Sequence, residues 1–193
     1  MKIGIFGGTF DPIHLGHLLV AQEVLIALSL DQILFIPVRI PPHKPAQNIT
    51  PAHHRLAMVK MAIASNPRFH YSEIELQREG KSYTIDTIIG LRRTFPAETE
   101  FFLLIGEDQL NAIDTWKDYR KIFELVPVVV FTRAGTVKRR EVTHLGLTYT
   151  SLRVLNIEIS GTLIRERIRQ GQPIKYLVPE EVERYILENR LYT

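Results

Sequence analysis

Short apolar runs rich in β-branched and aromatic residues alternate with helical patterns along this 193-residue chain. Runs of this kind are typical of strands that are buried on both faces of a sheet. The predicted strands are 3–6, 32–38, 69–76, 101–105, 127–132 and 155–159, and the predicted helices are 17–30, 51–66, 84–94, 160–169 and 182–189. The alternation predicts an α/β fold with a doubly wound parallel sheet, which binds ligands beyond the carboxyl ends of its strands.

Composition narrows the class of protein. The chain is 45% hydrophobic and 23% charged, and no apolar run reaches the roughly 18 residues that span a bilayer. With no cysteine and no signal-peptide pattern, we expect a cytoplasmic protein of one domain, residues 1–193, without a membrane partner. The net charge of +3 suits nucleic acid and polyanionic small molecules equally.

A glycine turn follows the first strand and opens a helix that carries two histidines. The segment 7–17 is GGTFDPIHLGH, in which Gly7 and Gly8 allow the backbone to approach a ligand closely. His14 and His17 are three positions apart, so they share a helix face, and Gly16 between them leaves room for a bound group. The pattern predicts a site for an anion such as a nucleotide phosphate. The segment matches neither the dinucleotide-binding pattern nor the Walker pattern. Two alternatives stay open, namely that the two histidines bind a metal ion or that they are close together by chance.

A second helix start with the same chemistry lies near the other end of the chain. Ser160 is placed to cap this helix, Thr162 and the first N–H groups can receive phosphate oxygens, and Arg165 can pair with them. An ordinary capped helix with an exposed arginine is the alternative. Two such helix starts in one short chain favour a phosphate site.

Together, GGTFDPIHLGH and the segment 159–165, ISGTLIR, resemble the two signatures of the nucleotidylyltransferase superfamily. The resemblance implies a Rossmann-like fold whose H-x-G-H pair contacts the phosphates of ATP. Gly161 stands where serine is more usual. Class I aminoacyl-tRNA synthetases share a related pair, but this chain is too short and lacks their other signature. The ATP contacts implied are Gly7, Gly8, Thr9, Phe10, His14, His17, Gly106, Asp108, Arg133, Ser160, Thr162 and Arg165.

Between these ends, the segments PPHK at 41–44, SYTIDT at 82–87, IGED at 105–108 and TW at 115–116 resemble bacterial nicotinate mononucleotide adenylyltransferases. The resemblance implies that ATP and nicotinate mononucleotide give nicotinate adenine dinucleotide and pyrophosphate in NAD biosynthesis, with Mg²⁺ accompanying ATP and no metal ligand assigned in the protein. It implies catalytic roles for His14, His17, Lys44 and Arg165. The mononucleotide contacts implied are Thr9, Lys44, Tyr83, Thr84, Asp108, Trp116 and Lys117, the last standing where tyrosine is frequent.

Each of these central residues also has chemistry of its own. Lys44 lies in a proline-rich loop as a point charge suited to phosphate, and Thr84 begins a helix whose N–H groups can face a carboxylate. Asp108 follows a strand, where it can accept ribose hydroxyls, and Trp116 can stack on a pyridine ring. A solvated lysine, a plain helix start, a surface aspartate and a core tryptophan are the corresponding alternatives.

Two other functions compete with this interpretation. Phosphopantetheine adenylyltransferase resembles the chain at both ends, but it would not be expected to carry SYTIDT and TW. A basic nucleic-acid-binding or regulatory protein is the other, and its best support is the cluster 138–140, KRR, which we interpret as a solvated loop. We therefore expect no nucleic-acid partner, and the sequence leaves open whether the chain forms a homo-oligomer.

Overall fold

The computed structural model of the chain describes residues 1–41, 49–132, 138–142, 145–155 and 157–193. Its strands are β1 (Lys2–Gly8), β2 (Gln32–Pro37), β3 (Phe69–Tyr71), β4 (Glu100–Gly106), β5 (Val128–Thr132), β6 (Lys138–Val142) and β7 (Leu147–Arg153). Its helices are α1 (Leu15–Ala27), α2 (Ala52–Ile63), α3 (Thr84–Thr94), α4 (Glu107–Asn111), α5 (Tyr119–Leu125), α6 (Gly161–Arg169) and α7 (Glu180–Glu188), with a 3₁₀ turn at Ile113–Thr115.

All seven strands form one sheet in the order β3-β2-β1-β4-β5-β7-β6. Of the strands in the described ranges, the first six in this order, from β3 to β7, are parallel, and β6 runs antiparallel to β7 at the edge of the sheet. The chain leaves β1 toward β2 and β3, then returns to β4 on the other side of β1. This reversal creates a crevice at the carboxyl ends of β1 and β4, where doubly wound sheets bind ligands. The predicted doubly wound parallel sheet is confirmed, with one antiparallel strand added.

Helices cover both faces of the sheet because side chains alternate along each buried strand. On β2, Ile33 and Phe35 face the core under α1, α2, α6 and α7, whereas Leu34 and Ile36 face the core under α3, α4 and α5. Apolar side chains at helical spacing, such as Ile85, Ile88 and Leu91 of α3, supply the other half of each core. Within the described ranges, no helix is both long and apolar enough to cross a membrane.

Two of the predicted strands are wrong. The strand predicted at 69–76 ends at Tyr71, because Ile74 packs against Gly90 and Glu75 bonds to Thr87, which draws the segment onto α3. The described residues of the strand predicted at 155–159, which are 155 and 157–159, form no strand, and Leu155 is 57% exposed.

The strand beside β5 is instead β7, whose mixed polar sequence LTYTSLR hides the apolar pattern of a buried strand. The cluster 138–140, expected in a loop, belongs to β6 and pairs with β7 through its backbone. The short helices α4 and α5 were not predicted either, whereas the remaining helices and the strands β1, β2, β4 and β5 are confirmed to within a few residues at their ends.

Candidate active site

A cavity of about 1190 Å³ opens at the carboxyl ends of β1, β4 and β5. The turn after β1, the starts of α1, α3, α4 and α6, and the 3₁₀ turn all contribute to its wall. The predicted site residues that line it are Gly7, Gly8, Thr9, Phe10, His14, His17, Tyr83, Thr84, Gly106, Asp108, Trp116, Lys117, Ser160, Thr162 and Arg165. The structure therefore brings together residues from both ends and the middle of the chain. Lys44 and Arg133 lie outside the described residues.

The two histidines sit at the start of α1, where the chain turns from extended backbone into helix. His14 is the residue before the helix, and its backbone N–H donates to Nδ1 of His17 at 3.2 Å. This bond is half of a capping box, and it leaves the proton of a neutral His17 on Nε2. A side chain on Gly16 would come within 3.0 Å of Nδ1 of His14. The glycine therefore makes room for the His14 ring, rather than for a ligand as the sequence suggested.

Both histidines are held in the neutral form. Burial lowers the pKa of His14 to about 4. Burial also lowers the pKa of His17 well below its usual value, and the nearby His14 lowers it further. Near neutral pH the pair therefore offers N–H hydrogen-bond donors rather than positive charge.

The side chain of Phe10 packs under the turn after β1, against Phe6 and His17. The residue has a φ of 48° and is 2% exposed, and its ring packs edge-on against Phe6 at 5.8 Å and against His17 at 5.1 Å between centroids. The same ring lies 3.0 Å from the position that a Cβ on Gly8 would take. The Phe10 side chain therefore belongs to the core under the turn, and only its backbone is placed to face a ligand.

The start of α6 lies beside the histidines, since a Cβ on Gly16 would lie 3.7 Å from Cβ of Ile159, just before this helix. The predicted cap is confirmed, because Oγ of Ser160 accepts the N–H of Leu163 at 3.1 Å. Arg165 donates through Nη1 to the carbonyl oxygen of Asp11 at 2.6 Å and through Nη2 to Oγ1 of Thr162 at 3.2 Å. The guanidinium thus ties α6 to the turn after β1 and stands on the cavity wall as a cation.

Gly161 allows this close approach of α6 to the turn. A Cβ at this position would lie 2.7 Å from the carbonyl oxygen of Asp11 and 3.2 Å from Nη1 of Arg165. Glycine in place of the usual serine is therefore a packing requirement of this chain.

The start of α3 and the turn before α5 form the opposite wall. Thr84 is the first residue of α3, so its N–H has no carbonyl partner within the helix, as predicted for an anion-binding helix start. Nζ of Lys117 pairs with Asp86 at 3.1 Å and lies 4.9 Å from the centre of the Tyr83 ring. Trp116 lines the cavity while packing against the core under α3, so the stacking and core roles proposed for it are compatible.

Asp108 lies where the sequence placed it, just after the end of β4. It is the second residue of α4 and is exposed on the cavity wall. A Cβ on Gly106 would come within 2.5 Å of its Oδ1. The glycine therefore lets the carboxylate lie across the end of the strand, within reach of a bound sugar.

Comparisons with known proteins show the family of this chain. A family model described as cytidylyltransferase-like matches residues 5–167. The nicotinate-nucleotide adenylyltransferase of Bacillus subtilis is 42% identical over 99% of this chain and 98% of its own. A probable nicotinate-nucleotide adenylyltransferase of Shouchella clausii is 45% identical over 99% of this chain and 96% of its own. The chain belongs to the nicotinate-nucleotide adenylyltransferases of the cytidylyltransferase-like family.

Solved structures support the fold of this adenylyltransferase. Plasmodium falciparum nicotinic acid mononucleotide adenylyltransferase complexed with NaAD has a TM-score of 0.80 at 20% identity, covering 99% of this chain and 97% of that one. The same protein complexed with APC has a TM-score of 0.78, also at 20% identity, covering 99% and 96%. The resemblance read from the sequence is confirmed.

Sequence reasoning missed a buried arginine that holds the turn of this adenylyltransferase. Arg55 of α2 is 1% exposed and donates to the carbonyl oxygens of Thr50 and Thr9, each at 2.8 Å, and of Arg39 at 3.3 Å. These bonds fix the backbone just after the glycines. An arginine beside the apolar residues of α2 gives no sequence signal of such a role.

A buried carboxylate on the cavity wall beside α3 was also missed. Oε1 of Glu75 accepts the hydroxyl of Thr87 at 2.7 Å, and Nη2 of Arg78 donates to the same hydroxyl oxygen at 2.8 Å. Burial raises the pKa of Glu75, and hydrogen bonds from Thr87 and Ser82 oppose that rise. The network fixes the first turn of α3 at the cavity wall, and Glu75 belongs to the segment 69–76 that was predicted to be a strand.

Proposed function

We propose that this cavity joins ATP to nicotinate mononucleotide, giving nicotinate adenine dinucleotide and pyrophosphate. The observation that carries the proposal is that two anion-binding regions open on one cavity. The His14–His17 pair and the start of α6 lie on one side, and the start of α3 with Trp116 lies on the other. At about 1190 Å³ the cavity exceeds the roughly 300–1,000 Å³ usual for one small ligand, so it has room for two nucleotides together.

The reaction needs positioning and charge stabilisation rather than an activated side chain. A phosphate oxygen of the mononucleotide attacks the α-phosphorus of ATP, the new phosphorus–oxygen bond forms, and the bond to the β-phosphate oxygen breaks to release pyrophosphate. The attacking phosphate is already ionised near neutral pH, so no general base is required. Catalysis then comes from holding the two phosphates in line and from donors aimed at the developing charge.

We call the part of the cavity lined by the histidine pair and the start of α6 the ATP half, and its described side chains bind the phosphates in different ways. Neutral His14 and His17 donate N–H groups to phosphoryl oxygens, and Arg165 supplies positive charge. The N–H groups at the start of α6 add the positive end of a helix dipole. Lys44 and Arg133 are proposed as further phosphate and ATP contacts on the strength of the resemblance alone.

The mononucleotide half is the part of the cavity lined by the start of α3 and Trp116, and it recognises the pyridine ring and its carboxylate. Trp116 stacks on the pyridine ring, and the N–H groups of the first turn of α3 at Thr84 receive the nicotinate carboxylate. Tyr83 and Lys117 border the same wall, Thr9 reaches the mononucleotide from the turn, and Asp108 accepts ribose hydroxyls.

Mg²⁺ is proposed to arrive with ATP. Within the described residues no three His, Asp or Glu side chains cluster closely enough to hold a metal ion, so the donor set fits an ion carried by the phosphates and water. When bound, the ion would shield the β- and γ-phosphates as pyrophosphate leaves.

Release of pyrophosphate from ATP tests the proposal directly. The rate is measured with nicotinate mononucleotide, with its amide and with phosphopantetheine as the second substrate. Turnover is expected with the nicotinate compound, at a kcat/KM well above that with the amide. Turnover only with phosphopantetheine, or with none of the three, would contradict the proposal.

A further inference from the structure

Asp11 contributes to the ATP half of the cavity, where a carboxylate facing the ligand would repel phosphate. Asp11 is buried and contributes to the cavity wall. Its two side-chain oxygens point elsewhere, however. Oδ1 accepts the hydroxyl of Tyr192 at 2.7 Å, and Oδ2 accepts the backbone N–H of Thr50 at 3.3 Å. Among the described residues, neither of these two partners lines the cavity, whereas Arg165, which holds the Asp11 carbonyl oxygen, does.

We propose that Tyr192 is a positioning residue for the phosphate turn, and that it holds the Asp11 carboxylate on the side of the turn away from bound ATP. With both side-chain oxygens bonded behind the turn, the cavity side presents Arg165 and backbone groups instead. Tyr192 comes from the segment after α7 and lies 181 residues further along the chain than Asp11. It acts through Asp11 and does not itself touch the substrate.

The hydroxyl of Tyr192 is suited to this task because it stays a donor. Burial and the neighbouring Asp11 raise the pKa of the Tyr192 hydroxyl, so the proton that bonds the carboxylate is retained throughout the working range of pH. A hydrogen bond from a neutral hydroxyl to a carboxylate is among the stronger kinds in proteins. The N–H of Thr50, at 3.3 Å, is the weaker of the two bonds, so loss of the hydroxyl would free the carboxylate to change rotamer.

The test removes one oxygen atom. In Tyr192→Phe the ring stays in place and the bond to Asp11 is lost. Tyr185→Phe is the matched control, because Tyr185 is also half-buried and its hydroxyl bonds to Nδ1 of His54 at 2.9 Å, away from the turn. The dissociation constant for ATP, measured by calorimetry, is expected to rise about tenfold in Tyr192→Phe and less than twofold in Tyr185→Phe. The KM for nicotinate mononucleotide should change less than twofold in either variant.

A double-mutant cycle separates repulsion by Asp11 from a loss of packing. In the Asp11→Asn background the charge is gone, so adding Tyr192→Phe should weaken ATP binding less than threefold. A tenfold loss in that background, or equal losses for both substrates in Tyr192→Phe alone, would overturn the inference.

The inference rests on the proposed function only in taking ATP as the bound anion. Because the dissociation constant for ATP is measured without turnover, it can be read even if nicotinate mononucleotide is not the second substrate. Failure of the pyrophosphate assay with all three acceptors would count against the proposed reaction, whereas unchanged ATP binding in Tyr192→Phe would count against the role of Tyr192.

Discussion

The imidazole rings of His14 and His17 stack with their centroids 3.6 Å apart and their planes inclined by 26°. In this arrangement a proton added to either ring is opposed by burial, and at His17 also by the neighbouring His14. The pair therefore contributes hydrogen-bond donors whose positions are fixed before a ligand arrives. Preorganised donors of this kind stabilise a transition state because they need no reorientation during the reaction.

Replacing His17 by alanine should lower kcat by roughly 10²-fold or more, the usual cost of losing one preorganised donor. Steady-state pyrophosphate release measures the effect. His70→Ala is the control, because His70 is exposed on the edge strand β3 and should leave kcat unchanged. Near-normal turnover by His17→Ala would refute a catalytic role for the pair.

Stability should fall as the pH is lowered from about 6.5 to 4. Burial sets the pKa of His14 at about 4, below the value of about 6.5 in the unfolded chain, so the unfolded state takes up a proton first. The loss of unfolding free energy caused by His14 is complete once the pH is below its folded pKa, and it amounts to about 3 kcal/mol. The lowered pKa of His17 destabilises the protein in the same direction.

Urea unfolding at a series of pH values measures this dependence. His14→Gln cannot titrate, so its unfolding free energy should depend less steeply on pH between 4 and 6.5 than that of the wild-type protein. Identical slopes for the two proteins would show that His14 is not held neutral by the fold.

Trp116→Ala should raise the KM for nicotinate mononucleotide about tenfold, since stacking on an aromatic ring contributes about 1–3 kcal/mol. The KM for ATP should stay within about twofold, because the stacking energy acts on the other substrate. Trp116→Phe retains a flat ring and should recover most of the affinity. If the alanine variant weakens both substrates equally, Trp116 serves only in the core.

Replacement by alanine should affect stability differently at two glycines on the cavity wall. In Gly161→Ala the new Cβ meets the Asp11 carbonyl oxygen at 2.7 Å, so the unfolding free energy should drop by about 1–3 kcal/mol. In Gly7→Ala the Cβ meets no described atom within 4 Å, so stability should hold within about 0.5 kcal/mol.

Because Gly7 borders the ATP half of the cavity, its added methyl group should instead raise the KM for ATP. Denaturant unfolding and steady-state kinetics on the two variants check both expectations. Unimpaired stability in Gly161→Ala would mean that the turn can move away from α6 without cost.

Much of the fold could be predicted because buried parallel strands carry nearly continuous apolar runs. FFLLI in β4 and VVVFT in β5 show this directly. The strand β7 was not predicted because apolar and polar residues alternate only weakly in its sequence, LTYTSLR. It forms a strand because its backbone pairs with β5 and β6. Pairing of that kind depends on neighbours brought in by the tertiary fold, which local composition does not record.

The sequence by itself determined the two helix starts of the ATP half. Glycines that permit a tight turn, a serine cap and unpaired first-turn N–H groups act within a few residues of one another, so they can be read from spacing. Only the tertiary structure decided that the histidines are neutral, that Arg55 holds the turn and that Tyr192 reaches Asp11. Burial and hydrogen bonds between distant segments set these properties, and neither is encoded in the local pattern of residues.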